Sequence, residues 1–268
     1  MMADDPTPAV ESTHGPDAFG EMTVLRDAAH SLGLRLTVRE TQQFQQLGSA
    51  LIRENAQFNL TAITDPAGIE LRHFADSLTV VPAIDAYVRL IGGDVAMLST
   101  VRILDVGSGA GFPGLPIAIM RPRVAVTLLE ATGKKVGFIR RVADDLDLPN
   151  VTALNFRAEE AAYHPGLRGQ IDIVIARAVA RLPALLEYCL PFVRLNGFVL
   201  ALKAGGLTDE LAEGKRAAAE LGGTLGDVTP VPVPGLGGHV LVRVDKTGKT
   251  PARYPRRPGV PSKSPLGI

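Results

Sequence analysis

The stretch Ile103-Leu104-Asp105-Val106-Gly107-Ser108-Gly109-Ala110-Gly111-Phe112-Pro113-Gly114 decides the fold. An aliphatic run ends, the chain turns on glycines, and a helix is predicted to open near Pro113. Glycine lets backbone approach a ligand closely, and the first turn of a helix offers oriented N–H groups. Two registers compete for the turn. Gly109, Gly111 and Gly114 satisfy the dinucleotide pattern G-x-G-x-x-G, but that reading leaves Gly107 inside the end of a strand, where glycine is a poor fit. A turn that starts at Gly107 keeps the strand unbroken and sets Asp105 two residues before it, near the ligand. A carboxylate there repels a pyrophosphate and suits the ammonium of a methionine moiety. This favours S-adenosylmethionine as cofactor over NAD, which stays open as the alternative.

Outward from this turn, short aliphatic runs at 101–106, 124–129, 151–156, 171–176 and 198–202 alternate with helical stretches at 134–146, 182–190 and near 209–221. Alternation of this kind predicts βαβ units, a mostly parallel doubly wound sheet and right-handed crossovers, a Rossmann-like α/β class. The run 239–244 alternates apolar and polar residues in the manner of an antiparallel edge strand, and 222–238 reads as Gly- and Pro-rich turns. In an open α/β sheet the ligand sits at the carboxyl ends of the strands, where strand order reverses. Several residues are expected there. Glu130 ends the second strand, placed to accept from the ribose hydroxyls of either cofactor. Ala158-Glu159 follows the third strand, within reach of an adenine edge. Arg177 follows the fourth strand and Lys203 the fifth.

Residues 96–245 thus form the principal domain. Before it, Thr37 and Glu40 make a capping box, Phe44, Leu47 and Leu51 share one helical face, and Asp65-Pro66 starts a further helix carrying Phe74, Leu78 and Val81. Residues 17–95 are therefore predicted to be a helical cap. Residues 1–16, rich in proline and poor in bulky apolar side chains, read as a disordered acidic lead-in, and 246–268, with five prolines, as a basic tail without regular structure.

The 268 residues are 46% hydrophobic and 21% charged, which excludes wholesale disorder. No apolar run approaches the ~18 residues of a spanning helix. One cysteine, Cys189, sits at helical spacing from Leu185 and Leu186 and reads as core; with five scattered histidines it makes no metal-site spacing, so no metal is expected. The lone cysteine and acidic N-terminus suit the cytoplasm. Net charge is zero, yet residues 1–21 hold five acids and no Lys or Arg, whereas 246–268 hold six Lys and Arg and no acid. Such a tail suits a polyanionic partner.

At this point the chain resembles the bacterial 16S rRNA guanine-N7 methyltransferases, the glucose-inhibited division protein B or small-subunit methyltransferase G family. The resemblance rests on Asn59-Leu-Thr61, Arg72-His73-Phe-Ala-Asp76-Ser77, Asp105 to Gly114, Leu128-Leu-Glu130 with Lys134-Lys135, Arg157-Ala-Glu159, Ala176-Arg177-Ala178, Ala201-Leu-Lys203, and the ending Arg253-Tyr-Pro-Arg-Arg-Pro-Gly259. It implies a class I S-adenosylmethionine-dependent methyltransferase fold. It implies that Gly107, Phe112, Ala158, Glu159 and Arg177 meet the cofactor, with Asp105, Gly109 and Glu130 beside them. It implies methylation of N7 of one guanine in the decoding region of 16S rRNA, on the small ribosomal subunit or its assembly intermediate. His73, Lys134, Lys135, Lys203, Arg253, Arg256 and Arg257 would then face RNA, His73 on the resemblance alone.

The chemistry agrees with that reading. Guanine N7 carries a free lone pair at neutral pH, so transfer needs alignment and exclusion of water rather than a base. Neither the catalytic cysteine of pyrimidine-C5 methyltransferases nor the Asn/Asp-Pro-Pro-Tyr signature of exocyclic-amine enzymes is present. Phe112, Tyr163 and Tyr254 are the candidates to stack on a base. Two rivals remain: a methyltransferase of small molecules, and an RNA-binding protein that uses S-adenosylmethionine only as a sensed ligand.

Overall fold

The computed structural model describes residues 16–92 and 100–268. The acidic lead-in therefore lies outside the described residues, apart from Pro16, which opens a 3-10 turn at Pro16–Phe19.

The capping signals in the first third do what their chemistry requires. After α1 (Thr23–Ser31), the Thr37 hydroxyl accepts from the Glu40 N–H at 3.2 Å and the Glu40 carboxylate accepts from the Thr37 N–H at 2.6 Å, opening α2 (Val38–Phe58). Asp65 accepts from the Gly68 N–H at 2.6 Å and opens α3 (Pro66–Ile69). The chain then runs through a π-helical turn at Glu70–Ala75 into α4 (Asp76–Leu78) and α5 (Val81–Leu90). Phe44, Leu47, Leu51, Phe74, Leu78 and Val81, the expected apolar faces, are all fully buried.

From residue 102 strands and helices alternate: β1 (Arg102–Val106), α6 (Gly114–Met120), β2 (Ala125–Leu129), α7 (Gly133–Asp145), β3 (Val151–Leu154), α8 (Ala158–Ala161), β4 (Ile171–Arg177), α9 (Leu182–Cys189), β5 (Val193–Ala204), α10 (Thr208–Glu220), β6 (Gly223–Pro230), β7 (His239–Lys246) and α11 (Val260–Lys263). Sheet order is β3-β2-β1-β4-β5-β7-β6. The first five strands are parallel; β7 runs antiparallel to both β5 and β6. Strand order reverses between β1 and β4, the place where a ligand is expected.

The central strands are buried on both sides, and their side chains divide by parity. Ile103, Ile173, Ile175 and Phe198 join the cap helices, α6 and α7 in one core. Leu104, Val174, Ala176 and Val199 join α9 and α10 in another. The cap shares its core with one face of the sheet rather than holding a separate one.

Two expectations need correction. The run at 239–244 is antiparallel, but β7 lies between β5 and β6; the edge belongs to β6, in a segment read as turns. Its sequence Gly-Thr-Leu-Gly-Asp-Val-Thr-Pro is mostly exposed and carries no apolar alternation, so nothing in it signals a strand. The C-terminal tail is likewise folded. Proline at the first turn of α11 removes an N–H that would be unpaired anyway, Tyr254 and Leu266 are buried in the second core, and Lys246, the last residue of β7, is buried with its ammonium donating to the Leu221 carbonyl at 3.0 Å.

Candidate cofactor crevice

At the end of β1 the chain turns through Gly107, Ser108 and Gly109 before α6 begins. Gly109 has a φ of +59°, and a Cβ built there would meet nothing within 4 Å. The backbone is thus held in a conformation that only glycine adopts easily, facing open space a ligand can enter. Gly107, with φ +70°, packs instead against Val179, and its N–H donates to the Leu129 carbonyl at 2.8 Å. That bond ties the turn after β1 to the end of β2.

The two acids flanking the turn have different surroundings. Glu130 accepts from the Gly109 N–H at 3.0 Å through one oxygen and from the Thr132 N–H at 2.7 Å through the other. Asp105 is fully buried. Its Oδ2 accepts from the Gly114 N–H at 2.8 Å, while Oδ1 has no partner. Burial pushes its carboxyl up to about 7; the Gly114 N–H and the nearby Arg177 charge pull the other way. The Ser108 hydroxyl is also buried without a partner. Buried polar atoms are nearly always satisfied, so these two at the glycine turn are free to partner a polar ligand there. An unpaired carboxylate oxygen and an open glycine backbone fit the ammonium and methionine end of S-adenosylmethionine.

Across the reversal, Arg177 at the end of β4 reaches the cap. Its guanidinium donates to Asp76 at 3.0 Å and to the Arg72 carbonyl at 2.8 Å, and lies 5.7 Å from the Phe112 ring centroid. A third N–H points at His73 Nδ1, 3.3 Å away. Because arginine offers only donors, Nδ1 accepts, and His73 carries its proton on Nε2, donating to the Thr61 hydroxyl at 2.8 Å. The His73 ring stacks on Phe112, centroids 4.7 Å apart and planes 11° from parallel. Burial, then the Arg177 charge, lower its pKa to about 4, so the ring is neutral at physiological pH. Asp76 is shared: its second oxygen is 3.1 Å from His239 Nδ1. Asp76, Thr61 and His239 were not among the expected site residues. His239 arrives only through topology, since antiparallel β7 begins where the parallel strands end.

Several other expected residues are committed elsewhere. His73 is buried, Lys203 donates to the Ala180 carbonyl and pairs with Glu210, and the partly exposed Arg256 holds Glu187 through bonds of 2.6–3.1 Å, so all three are engaged inside the protein. Glu187 is a fully buried carboxylate inside an apolar helix, and its need for a counterion outweighs any outward use of Arg256. Glu159 sits at the start of α8 and accepts from the Gly259 N–H at 3.1 Å, which ties the tail to that helix start. Ala158 is half-buried beside it. Of the stacking candidates, Phe112 and Tyr254 are buried and Tyr163 is exposed. Lys134, Arg253 and Arg257 are exposed and Lys135 is half-exposed, Arg253 pairing with Glu220. Among the described residues no group of three potential ligands could hold a metal, and no helix is long and apolar enough to cross a membrane. Cys189 is buried, and burial raises its thiol.

The strand order, the glycine turn after β1 and the acid after β2 define a class I, S-adenosylmethionine-dependent methyltransferase fold. The profile of the family described as rRNA small subunit methyltransferase G matches residues 40–231. The chain is 44% identical to the ribosomal RNA small subunit methyltransferase G of Roseiflexus sp. strain RS-1, over 91% of this chain and 100% of that protein. It is 42% identical to that of Leuconostoc citreum strain KM20, over 89% and 96%. Among solved structures, the Methanococcus jannaschii fibrillarin pre-rRNA processing protein is similar at a TM-score of 0.46 and 16% identity, over 58% of this chain and 70% of that one. The chain belongs to the rRNA small subunit methyltransferase G family.

Proposed function

We propose that the protein transfers a methyl group from S-adenosylmethionine to N7 of a guanine in the decoding region of 16S rRNA, in the cytoplasm, on the small ribosomal subunit or its assembly intermediate. The carrying observation is the pairing of an open glycine backbone at Gly109 with the buried, unpartnered Asp105 Oδ1, in a chain of this family. When bound, the cofactor supplies a methyl carbon already activated by sulfonium charge. Asp105 Oδ1 would accept from the methionine ammonium, and Glu130 would exchange the Gly109 N–H for ribose hydroxyls. Ala158 and Glu159 would line the adenine side.

Arg177 and Phe112 would act differently from the plain cofactor contacts implied by resemblance. The Arg177–Asp76 pair and the His73–Phe112 stack hold the cap against the glycine turn, and so position the crevice. N7 has a lone pair at neutral pH, so no residue need remove a proton. The neutral His73, bonded on both ring nitrogens, fits a structural part rather than acid–base work. Lys134, Lys135, Arg253 and Arg257 remain as cations for the RNA backbone.

Mass mapping of small-subunit RNA from cells with and without this protein tests the reading. One 7-methylguanosine should vanish without it and return with the wild-type gene. A Gly109→Ala variant should stay folded, at a strain cost of about 1 kcal/mol for a left-handed residue, yet bind the cofactor at least about tenfold more weakly by calorimetry. Retention of every 7-methylguanosine would refute the substrate.

A further inference from the structure

At the end of the sheet opposite the crevice, the amino end of β5 and the carboxyl end of β7 border a cavity of about 510 Å³. Four cations line it, Arg168, Arg194, Lys246 and Lys249, and no acid does. Arg194 is compensated by Asp172 at 2.6 Å. Among the described residues, Arg168, Lys246 and Lys249 form no ion pair; the first two donate only to carbonyls and to the Thr250 hydroxyl. Those bonds leave N–H donors unspent on both: the Arg168 guanidinium uses three of its five, and the Lys246 ammonium two of its three. Lys246 is 4% exposed, so its charge has lost most of its water. Like charges gathered in a concavity without counter-charge are unfavourable, and a bound anion relieves them.

We propose that this cavity binds a phosphate group. Two charged groups with spare donors, an exposed lysine on the lining and, among the described residues, no carboxylate paired with any of these three are what recognition of a phosphate dianion or diester requires. Burial and the Arg168 charge lower the Lys246 ammonium to about 8, as expected of a cation waiting for a counterion. The phosphate of an RNA backbone and that of a free nucleotide present the same chemistry here. Only the first source rests on the proposed function.

Lys249→Glu is the informative substitution, because Lys249 is exposed and supports nothing in the fold, with Lys215→Glu on the outer side of α10 as a control of equal charge change. Titration calorimetry with pyrophosphate at constant ionic strength should show saturable uptake by the wild-type chain, unchanged in K215E and weakened at least about tenfold in K249E. In a second arm, binding to purified small subunits is followed against salt. An RNA source flattens the slope of log affinity by about one in K249E beyond any change in K215E. A free phosphorylated ligand leaves the two variants alike on subunits while the pyrophosphate difference persists. The proposal is overturned by pyrophosphate uptake that survives K249E, or by no uptake together with equal subunit slopes. Neither arm reads methyl transfer, so the site stands or fails apart from the reaction.

Discussion

Two buried titratable residues, Asp105 and His73, carry opposite perturbations within one crevice. The folded state raises Asp105 from 3.8 to about 7, so its contribution to stability is full below the lower value and is lost as pH climbs through the higher. The folded state lowers His73 from 6.5 to about 4, so its contribution is full above the higher value and is lost as pH falls. Between about 4 and 6.5 the two slopes oppose each other. The cofactor-free protein should therefore show a urea midpoint that changes little over that range, and each substitution should unmask the other residue. Asp105→Asn, which keeps an acceptor for the Gly114 N–H, should lose stability on acidification; His73→Gln should gain it. An Asp105→Asn protein that tracks the wild type across the range would contradict the assignment of the Asp105 shift. At this scale much was legible: a carboxylate two residues before a glycine turn announces a site. That His73 stacks on Phe112 and is held by Arg177 was not, because those residues lie about 40 and 100 positions apart from it and only folding brings the three together.

Among the elements, those with internal chemical signals were read correctly, and those defined by their neighbours were not. The capping box at Thr37 and the aspartate–proline start at Asp65 are local devices, and both form. The edge strand β6 exists only because β7 supplies its hydrogen bonds. The tail has five prolines and few apolar residues, yet it docks because Glu187 on α9 requires a cation and Arg256 provides one. This separates the tail's basic residues into two kinds. Arg256→Ala should destabilise the protein by about 2 kcal/mol in denaturant unfolding, below the usual range for breaking a buried pair because the guanidinium is partly exposed. Arg253→Glu with Arg257→Glu should leave the unfolding midpoint within about 0.5 kcal/mol of wild type. The same pair should weaken binding to small subunits most strongly at low salt. Equal stability loss in the two variants would mean that Arg256 is not an anchor. Removal of residues 246–268 is a poor test of RNA binding, since it also strips Tyr254 and Leu266 from the second core.

Over the whole molecule, the cap and the sheet bury their apolar surfaces against each other, and Arg177–Asp76–His239 ties the two at the crevice mouth. A cap without its own core cannot unfold separately. Thermal unfolding followed by far-ultraviolet dichroism and by a fluorophore placed on α2 should coincide in one transition, with a van't Hoff enthalpy matching the calorimetric value. Two resolved transitions would show that the cap is an independent domain. By itself, the sequence determined the alternation of strands and helices, the glycine turn and the acids at 105 and 130, because these depend on periodicity and spacing along the chain; the family was legible separately, in the resemblance of whole segments. Only the tertiary structure decided which charges are spent inside the protein, which strand takes the edge and which distant side chains lock the cap. Those outcomes turn on desolvation and on partners far away in sequence, and local pattern carries no record of either.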